Sequence, residues 1–185
     1  MCWMDIRRGD DALRASIEAV RAHEHEHGHS WGWAAVTEHG LEVERGLGEI
    51  PDDVRIPETE AALCHTRFAT VGEITVANAH PFPVEVDGET VAALAHNGTW
   101  HGAPEQDGRS DSRAMAAELE YLLGIGMGFG NAFGHLAKLT GETIAVLRAD
   151  GSCWVHAGRY PITRDGDVVS SSGLERSLPE GVHVL

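Results

Sequence analysis

Residues 62–72 read ALCHTRFATVG, and residues 91–100 read VAALAHNGTW. Each starts as an apolar run of strand length and then turns polar. The first run delivers Arg67 at its end, where a guanidinium needs an anionic partner. The second stops at Asn97-Gly98, a turn dipeptide. An Asn side-chain amide beside a free backbone N–H also forms a donor pair for a developing oxyanion. Residues 62–69 read as a strand that begins inside the protein, and residues 91–96 as a buried strand.

Working outward, residues 11–27 place Leu13, Ile17 and Val20 at helical spacing and end at Gly28. WGWAAVTEH (31–39) and LEVERG (41–46) flank Gly40 and read as a hairpin. Residues 74–88, with Pro81 and Pro83, read as irregular at first. SDSRAMAAELEYLL (110–123) reads as a helix, capped by Ser110 or Asp111, with a stripe of Met115, Leu119 and Leu122. GIGMGFGN (124–131) lacks a following GK[ST] and reads as a hinge into a short helix through AFGHLAKL. Short strands follow: ETIAVLRA, SCWVHAG, DVVSSS and VHVL. Strands and helices do not alternate as in a βαβ protein. The order predicts an α+β fold with antiparallel sheets, in one domain over residues 1–185.

Composition narrows the partners. The formal net charge is −15, with one lysine, Lys138, among 14 basic residues. Such a surface is a poor partner for nucleic acid or anionic membrane. The acid-rich, lysine-poor balance fits either a salt-adapted protein or a GC-rich genome. No stretch is apolar for the length of a membrane span, and MCWMDIRRGDD lacks a secretory apolar run, so the expected address is the cytoplasm. Cys2, Cys64 and Cys153 are odd in number and scattered, which gives neither a disulfide framework nor a CxxC metal spacing. Cys64 and Cys153 sit in apolar runs and read as core residues.

HEHEHGH (23–29) matches HExxH twice, the spacing with which a helix binds zinc. Overlapping matches are what His/Glu alternation yields, and Gly28 breaks the helix inside the second. The run reads as a solvated helix end, and no metal or cofactor is expected. Asn97-Gly98-Thr99 fits a glycosylation sequon but nothing marks the chain for secretion. No GxSxG elbow supports a serine triad.

Cys2 stands directly behind Met1. Trimming of Met1 would leave a thiol and a free α-amine on one residue, a nucleophile with its own base. Taken in order, Cys2, Trp-Gly-x-Ala at 31–34, His65-Thr66-Arg67-x-Ala-Thr70-x-Gly72, Asn78-Ala79-His80-Pro81, His96-Asn97-Gly98 and Ser110-Asp111 resemble the class II glutamine amidotransferases. These are N-terminal-nucleophile hydrolases, and the segments look like the glutaminase domain of glucosamine-6-phosphate synthase and of stand-alone relatives.

The resemblance implies a four-layer αββα sandwich of two antiparallel sheets between helices. It implies that Cys2 attacks the side-chain amide of L-glutamine, with the oxyanion held by Asn97 and Gly98. Arg67 would pair with the substrate α-carboxylate and Asp111 with its α-ammonium, while Thr70, Gly72 and His96 would line the pocket. With no acceptor domain expected, ammonia would pass to a separate synthase subunit. The same residues carry plainer readings: an Arg67–Asp111 salt bridge, an Asn-Gly turn, a catalytically silent subunit, or a metal-binding protein using residues 23–29. The chain departs from the usual pattern at Trp3, Phe68 and Val71, and HGHSWG (27–32) replaces an Arg-Gly-x-Asp-like loop. That leaves hydrolysis of another γ-glutamyl amide as an alternative.

Overall fold

The two apolar runs lie in different, face-to-face sheets. A computed structural model describes residues 2–23, 28–104, 107–171 and 177–185. The first sheet contains β1 (Trp3–Arg8), β2 (Ser30–Thr37), β3 (Gly40–Leu47), β4 (Ala61–Arg67), β9 (Thr163–Asp165) and β10 (Val168–Ser170). Its order is β3-β2-β4-β1-β10-β9. The second contains β5 (Phe82–Val86), β6 (Glu89–Asn97), β7 (Thr143–Arg148), β8 (Cys153–Ala157) and β11 (Gly181–Val184), in the order β11-β8-β7-β6-β5. All paired strands run antiparallel. Helix α1 (Ala12–Arg21) covers the first sheet, and α2 (Asp111–Gly124) with α3 (Phe129–Thr140) covers the second. The result is the α+β fold with antiparallel sheets read from the element order, in the αββα arrangement that the resemblance implied.

Burial on both faces explains the unbroken apolar runs. In β4, Ala61 and Leu63 join the layer between the sheets, whereas Ala62 and Cys64 pack under α1 with Leu13, Ile17 and Val20. In β6, Ala93 and Ala95 face the inter-sheet layer, and Ala92 and Leu94 face α2 and α3. Strand β7 repeats the division with Ala145 and Leu147 inward and Ile144 and Val146 outward. Cys64 and Cys153 are both buried, as read from their surroundings.

This parity positions the site. Continuing each strand by two residues aims His65 and Arg67 of β4 into the inter-sheet space, and Asn97 of β6 likewise. His96 falls on the opposite face, beneath α2.

The helices and hairpin follow their sequence signals with small differences. Helix α1 stops at Arg21 rather than reaching residue 27. The His23 amide turns back to the Val20 carbonyl at 3.0 Å, and its ring stacks on Trp3 at 3.5 Å between centroids. Residues 24–27 of the double HExxH run lie outside the described residues. Ser110 is the cap of α2, accepting from the Arg113 N–H at 3.3 Å. The irregular stretch after β4 contains a 3-10 turn over Val76–Asn78 before β5 begins. Strand β1 has no sequence signal of its own. WMDIRR lacks alternation, yet it lies between β4 and β10 because Met4 and Ile6 fill the inter-sheet layer. Among the described residues, no helix is long and apolar enough to cross a membrane.

Candidate active site

Three strand ends meet at one edge of the sandwich. The register pairs Trp3 with Thr66, which brings Cys2 beside the end of β4. Its Sγ accepts the Phe68 N–H at 3.4 Å and faces the Phe68 carbonyl at 3.7 Å. Burial raises the Cys2 thiol pKa, and the bond to the Phe68 backbone partly offsets it. Arg67 and Asp111 act electrostatically on the same thiol in opposite directions, so all three groups share one electrostatic neighbourhood. A thiol held protonated needs a base to become a nucleophile.

Asn97 is buried and its amide is oriented by two partners. Oδ1 lies 3.1 Å from His65 Nε2, and Nδ2 donates to Ser171 Oγ at 2.6 Å. The His65 Nε2 also reaches the His96 carbonyl at 3.2 Å. Both of those partners are acceptors, so Nε2 carries the proton and the Asn97 oxygen faces inward. Burial holds the His65 pKa down to about 3, so the ring stays neutral at pH 7. One of the two Nδ2 hydrogens goes to Ser171, which leaves the other for a ligand.

Ser171 carries no signal in the sequence. Its hydroxyl accepts the Met4 N–H at 3.0 Å, and its own N–H bonds the Met4 carbonyl at 2.9 Å. The hydroxyl thus extends the β1–β10 ladder past the end of β10. It ties the Asn97 amide to the backbone two residues from Cys2.

Arg67 does not pair with Asp111. Its Nη1 donates to the Glu73 carbonyl at 3.2 Å and Nη2 to the Val71 carbonyl at 2.5 Å. Asp111 Oδ2 instead accepts the Trp100 N–H at 2.7 Å. The salt-bridge reading of these two residues is therefore set aside. The loop that Arg67 braces is clamped by Asn78. Its Nδ2 donates to Glu73 O at 3.0 Å and Gly108 O at 2.7 Å, and its Oδ1 accepts the Ser110 N–H at 3.1 Å. One side chain so joins the loop after β4 to the start of α2, where Asp111 sits.

Thr70 bonds Thr99 at 3.2 Å and links that loop to the turn after β6. Gly72 has φ 77°, and a Cβ there would meet the Arg109 backbone at 2.7 Å. Only glycine fits. Gly72 and Asp111 line a cavity of about 600 Å³, together with Val71, Thr99, Trp100 and His101. Cys2, Asn97 and Arg67 stand beside this cavity rather than in its wall. Gly98 has φ 137°, again glycine's region.

His96 does not line the cavity. It is 1% exposed and its Nδ1 bonds Ser112 Oγ at 2.9 Å beneath α2. Strand parity turns it away from the face that Asn97 presents, so the expected substrate contact of His96 is not seen in the cavity wall. Trp3 is likewise turned away, onto His23. Phe68 stacks on His29 at 4.8 Å, and His29 Nδ1 accepts the Ala69 N–H at 2.9 Å. The glycine of Trp-Gly-x-Ala has a packing reason, since a Cβ on Gly32 would overlap the His80 carbonyl.

The family model described as glutamine amidotransferases class-II matches residues 48–114. The resemblance read from the sequence stands: class II glutamine amidotransferase. The matched segment holds β4, the Arg67 loop, β6 and the start of α2. The fold agrees with that of the amidotransferases. The chain is similar to glutamine phosphoribosylpyrophosphate amidotransferase from B. subtilis complexed with ADP and GMP, with a TM-score of 0.71 at 19% identity over 92% of this chain. A structure of the allosteric regulatory enzyme of purine biosynthesis also matches with a TM-score of 0.71 at 19% identity over 92% of this chain. The chain spans 42% of the length of each of those structures. No curated protein matches the sequence.

Proposed function

We propose that this chain hydrolyses the side-chain amide of L-glutamine through Cys2 and releases ammonia for a separate synthase partner. The observation that supports it most is the convergence of the Cys2 thiol, the Arg67 guanidinium and the oriented Asn97 amide at one end of the sandwich, where β1, β4 and β6 terminate. Loss of Met1 gives Cys2 an α-amine with a pKa of roughly 8, suited to take the thiol proton near neutral pH. The thiolate attacks the amide carbon. The oxyanion is met by the remaining Nδ2 hydrogen of Asn97 and by the Gly98 N–H. Protonation of the leaving nitrogen by the α-ammonium breaks the C–N bond, releasing ammonia and leaving a γ-glutamyl thioester. Water then releases glutamate and restores the thiol.

Arg67 and Asp111 suit the two charged ends of an amino acid: a forked cation for its carboxylate and a carboxylate for its ammonium. Engaging substrate, Arg67 keeps its brace on the loop through carbonyls, which do not neutralise it. Thr70 and Gly72 hold the wall of the cavity. The reading places the work in the cytoplasm.

A glutaminase assay with covalent trapping by a glutamine-mimicking electrophile tests this. The expected result is glutamate release, with the adduct at a peptide beginning at Cys2. An intact mass that retains Met1, with no adduct, refutes it. A second reading is hydrolysis of another γ-glutamyl amide, since the chain departs from the usual pattern at Phe68, whose backbone N–H bonds the Cys2 thiol. Hydrolysis of a bulkier γ-glutamyl amide in preference to glutamine would favour that second reading.

A further inference from the structure

The backbone that contacts the Cys2 thiol lies outside regular structure. Strand β4 ends at Arg67, so no ladder fixes the peptide that joins Phe68 to Ala69. Yet Phe68 supplies both backbone contacts to Cys2 Sγ, its N–H at 3.4 Å and its carbonyl at 3.7 Å. Something other than strand pairing has to hold it.

His29 grips this segment at three points. Its N–H donates to the Arg67 carbonyl at 3.2 Å, which extends the β2–β4 pairing one residue past Ser30. Its Nδ1 accepts the Ala69 N–H at 2.9 Å, and its ring stacks on the Phe68 ring at 4.8 Å between centroids. On the other side, the His29 carbonyl accepts the Gly48 N–H at 3.2 Å, just past β3, so the grip is anchored to the sheet. The Phe68 side chain is 42% exposed and belongs to none of the core clusters, so the core does not fix it.

The Phe68–Ala69 peptide therefore faces two ways. Its N–H goes to His29 and its carbonyl to the thiol. The peptide is trans, so its N–H and C=O point in opposite directions and fixing one fixes the other. Nδ1 accepts only when bare, which puts the ring proton of His29 on Nε2.

We propose that His29 is a positioning residue for the Cys2 thiol, acting through the Phe68–Ala69 peptide that its Nδ1 holds. The Phe68 N–H then meets the sulfur as the thiol proton leaves, and such a bond is stronger to a thiolate than to a thiol. This backbone contact lowers the thiol pKa against the larger, raising effect of burial. The effect on turnover rests on the reading of Cys2 as nucleophile.

Alkylation of Cys2 by iodoacetamide as a function of pH, read by mass at the N-terminal peptide, tests the role of His29. Arg67, Asp111 and the amino terminus also act on the thiol, and none is changed by a substitution at 29. His29→Ala should move the midpoint of the profile up by about one pH unit, the effect of losing one hydrogen bond to a charged group. His29→Phe keeps a stacking ring without an acceptor and should move it as far. His29→Asn offers Oδ1 as an acceptor and should stay closer to wild type. A Phe variant with the wild-type midpoint, or an Asn variant no closer to wild type than the Phe variant, overturns the proposal. Cys64 and Cys153 are buried, so modification of Cys2 alone marks a folded variant. In the wild type, long-range proton–nitrogen spectra of ¹⁵N-histidine protein should show the His29 ring protonated at Nε2, and a proton on Nδ1 overturns the proposal without any variant. In the glutaminase assay, His29→Ala should lower kcat with KM little changed. If wild-type protein does not turn over glutamine, the proposed function fails alone, and the alkylation profiles still decide the role of His29.

Discussion

Replacing Ser171 with alanine tests how the Asn97 amide is held. The hydroxyl is the acceptor for two donors, Met4 N–H at 3.0 Å and Asn97 Nδ2 at 2.6 Å. Ser171 is 7% exposed, so water has little access to replace it. Each orphaned buried donor costs roughly 1–3 kcal/mol. The Asn97 amide keeps its His65 contact, which favours the low end for that donor. Together the loss comes to about 3 kcal/mol. At roughly 2–4 °C per kcal/mol for a chain of this size, the melting midpoint should fall by about 9 °C. Thermal unfolding followed by tryptophan fluorescence measures it. Asn97→Ala removes one of the same two bonds, so the double variant should be less destabilised than the sum of the singles. A Ser171→Ala midpoint within a degree of wild type, or strictly additive singles, refutes the argument that one hydroxyl ties β1 to β6. In the glutaminase assay, Ser171→Ala should lower kcat by less than Asn97→Ala does, because the amide remains but is no longer fixed.

The other expectations concern the proposed chemistry and the buried histidines. Cys2→Ala should abolish glutamate release while leaving the melting midpoint close to wild type, because Cys2 lies outside the core clusters. Asn97→Ala should cost about 3 kcal/mol in the barrier, the size usual for one oxyanion donor, and unchanged kcat would remove that role. Arg67→Ala should raise KM more than it lowers kcat, and isothermal titration with a non-hydrolysable glutamine analogue would show the lost affinity. Burial depresses the pKa of His65 to about 3 and of His96 to about 4, with His80 also well below its usual value. An unfolded histidine binds its proton near pH 6.5, so between there and the folded value the unfolded state holds more protons. Stability should therefore fall as pH drops from about 6.5 toward 4, by about 1.4 kcal/mol per pH unit for each such histidine. Urea unfolding at stepped pH checks this, and a flat profile over that window contradicts the neutral, buried rings.

The legible part of the fold was the part that sequence period controls. Buried runs such as VAALAH and the stripe of α2 announce themselves because both depend on which faces are covered. Strand β1 does not, because WMDIRR mixes two core residues with Asp5 and two arginines. Its place depends on distant compensation: Asp5 is bonded by Arg7 at 2.7 Å and by the Ser16 hydroxyl of α1. No local pattern encodes such a partner. The same division holds at the site. The ends of β4 and β6 were readable, since polar residues closing an apolar run need a reason to be there. What orients them was not readable. Ser171 lies 74 residues from the amide it holds. His96 shows the limit from the other side. Its neighbours in HNG suggest a substrate contact, but a strand turns alternate residues to opposite faces. Asn97 facing the inter-sheet space requires His96 to face α2, where its Nδ1 lies 2.9 Å from Ser112 Oγ. The motif names which residues are present, and strand parity decides which of them face the inter-sheet space and which face α2.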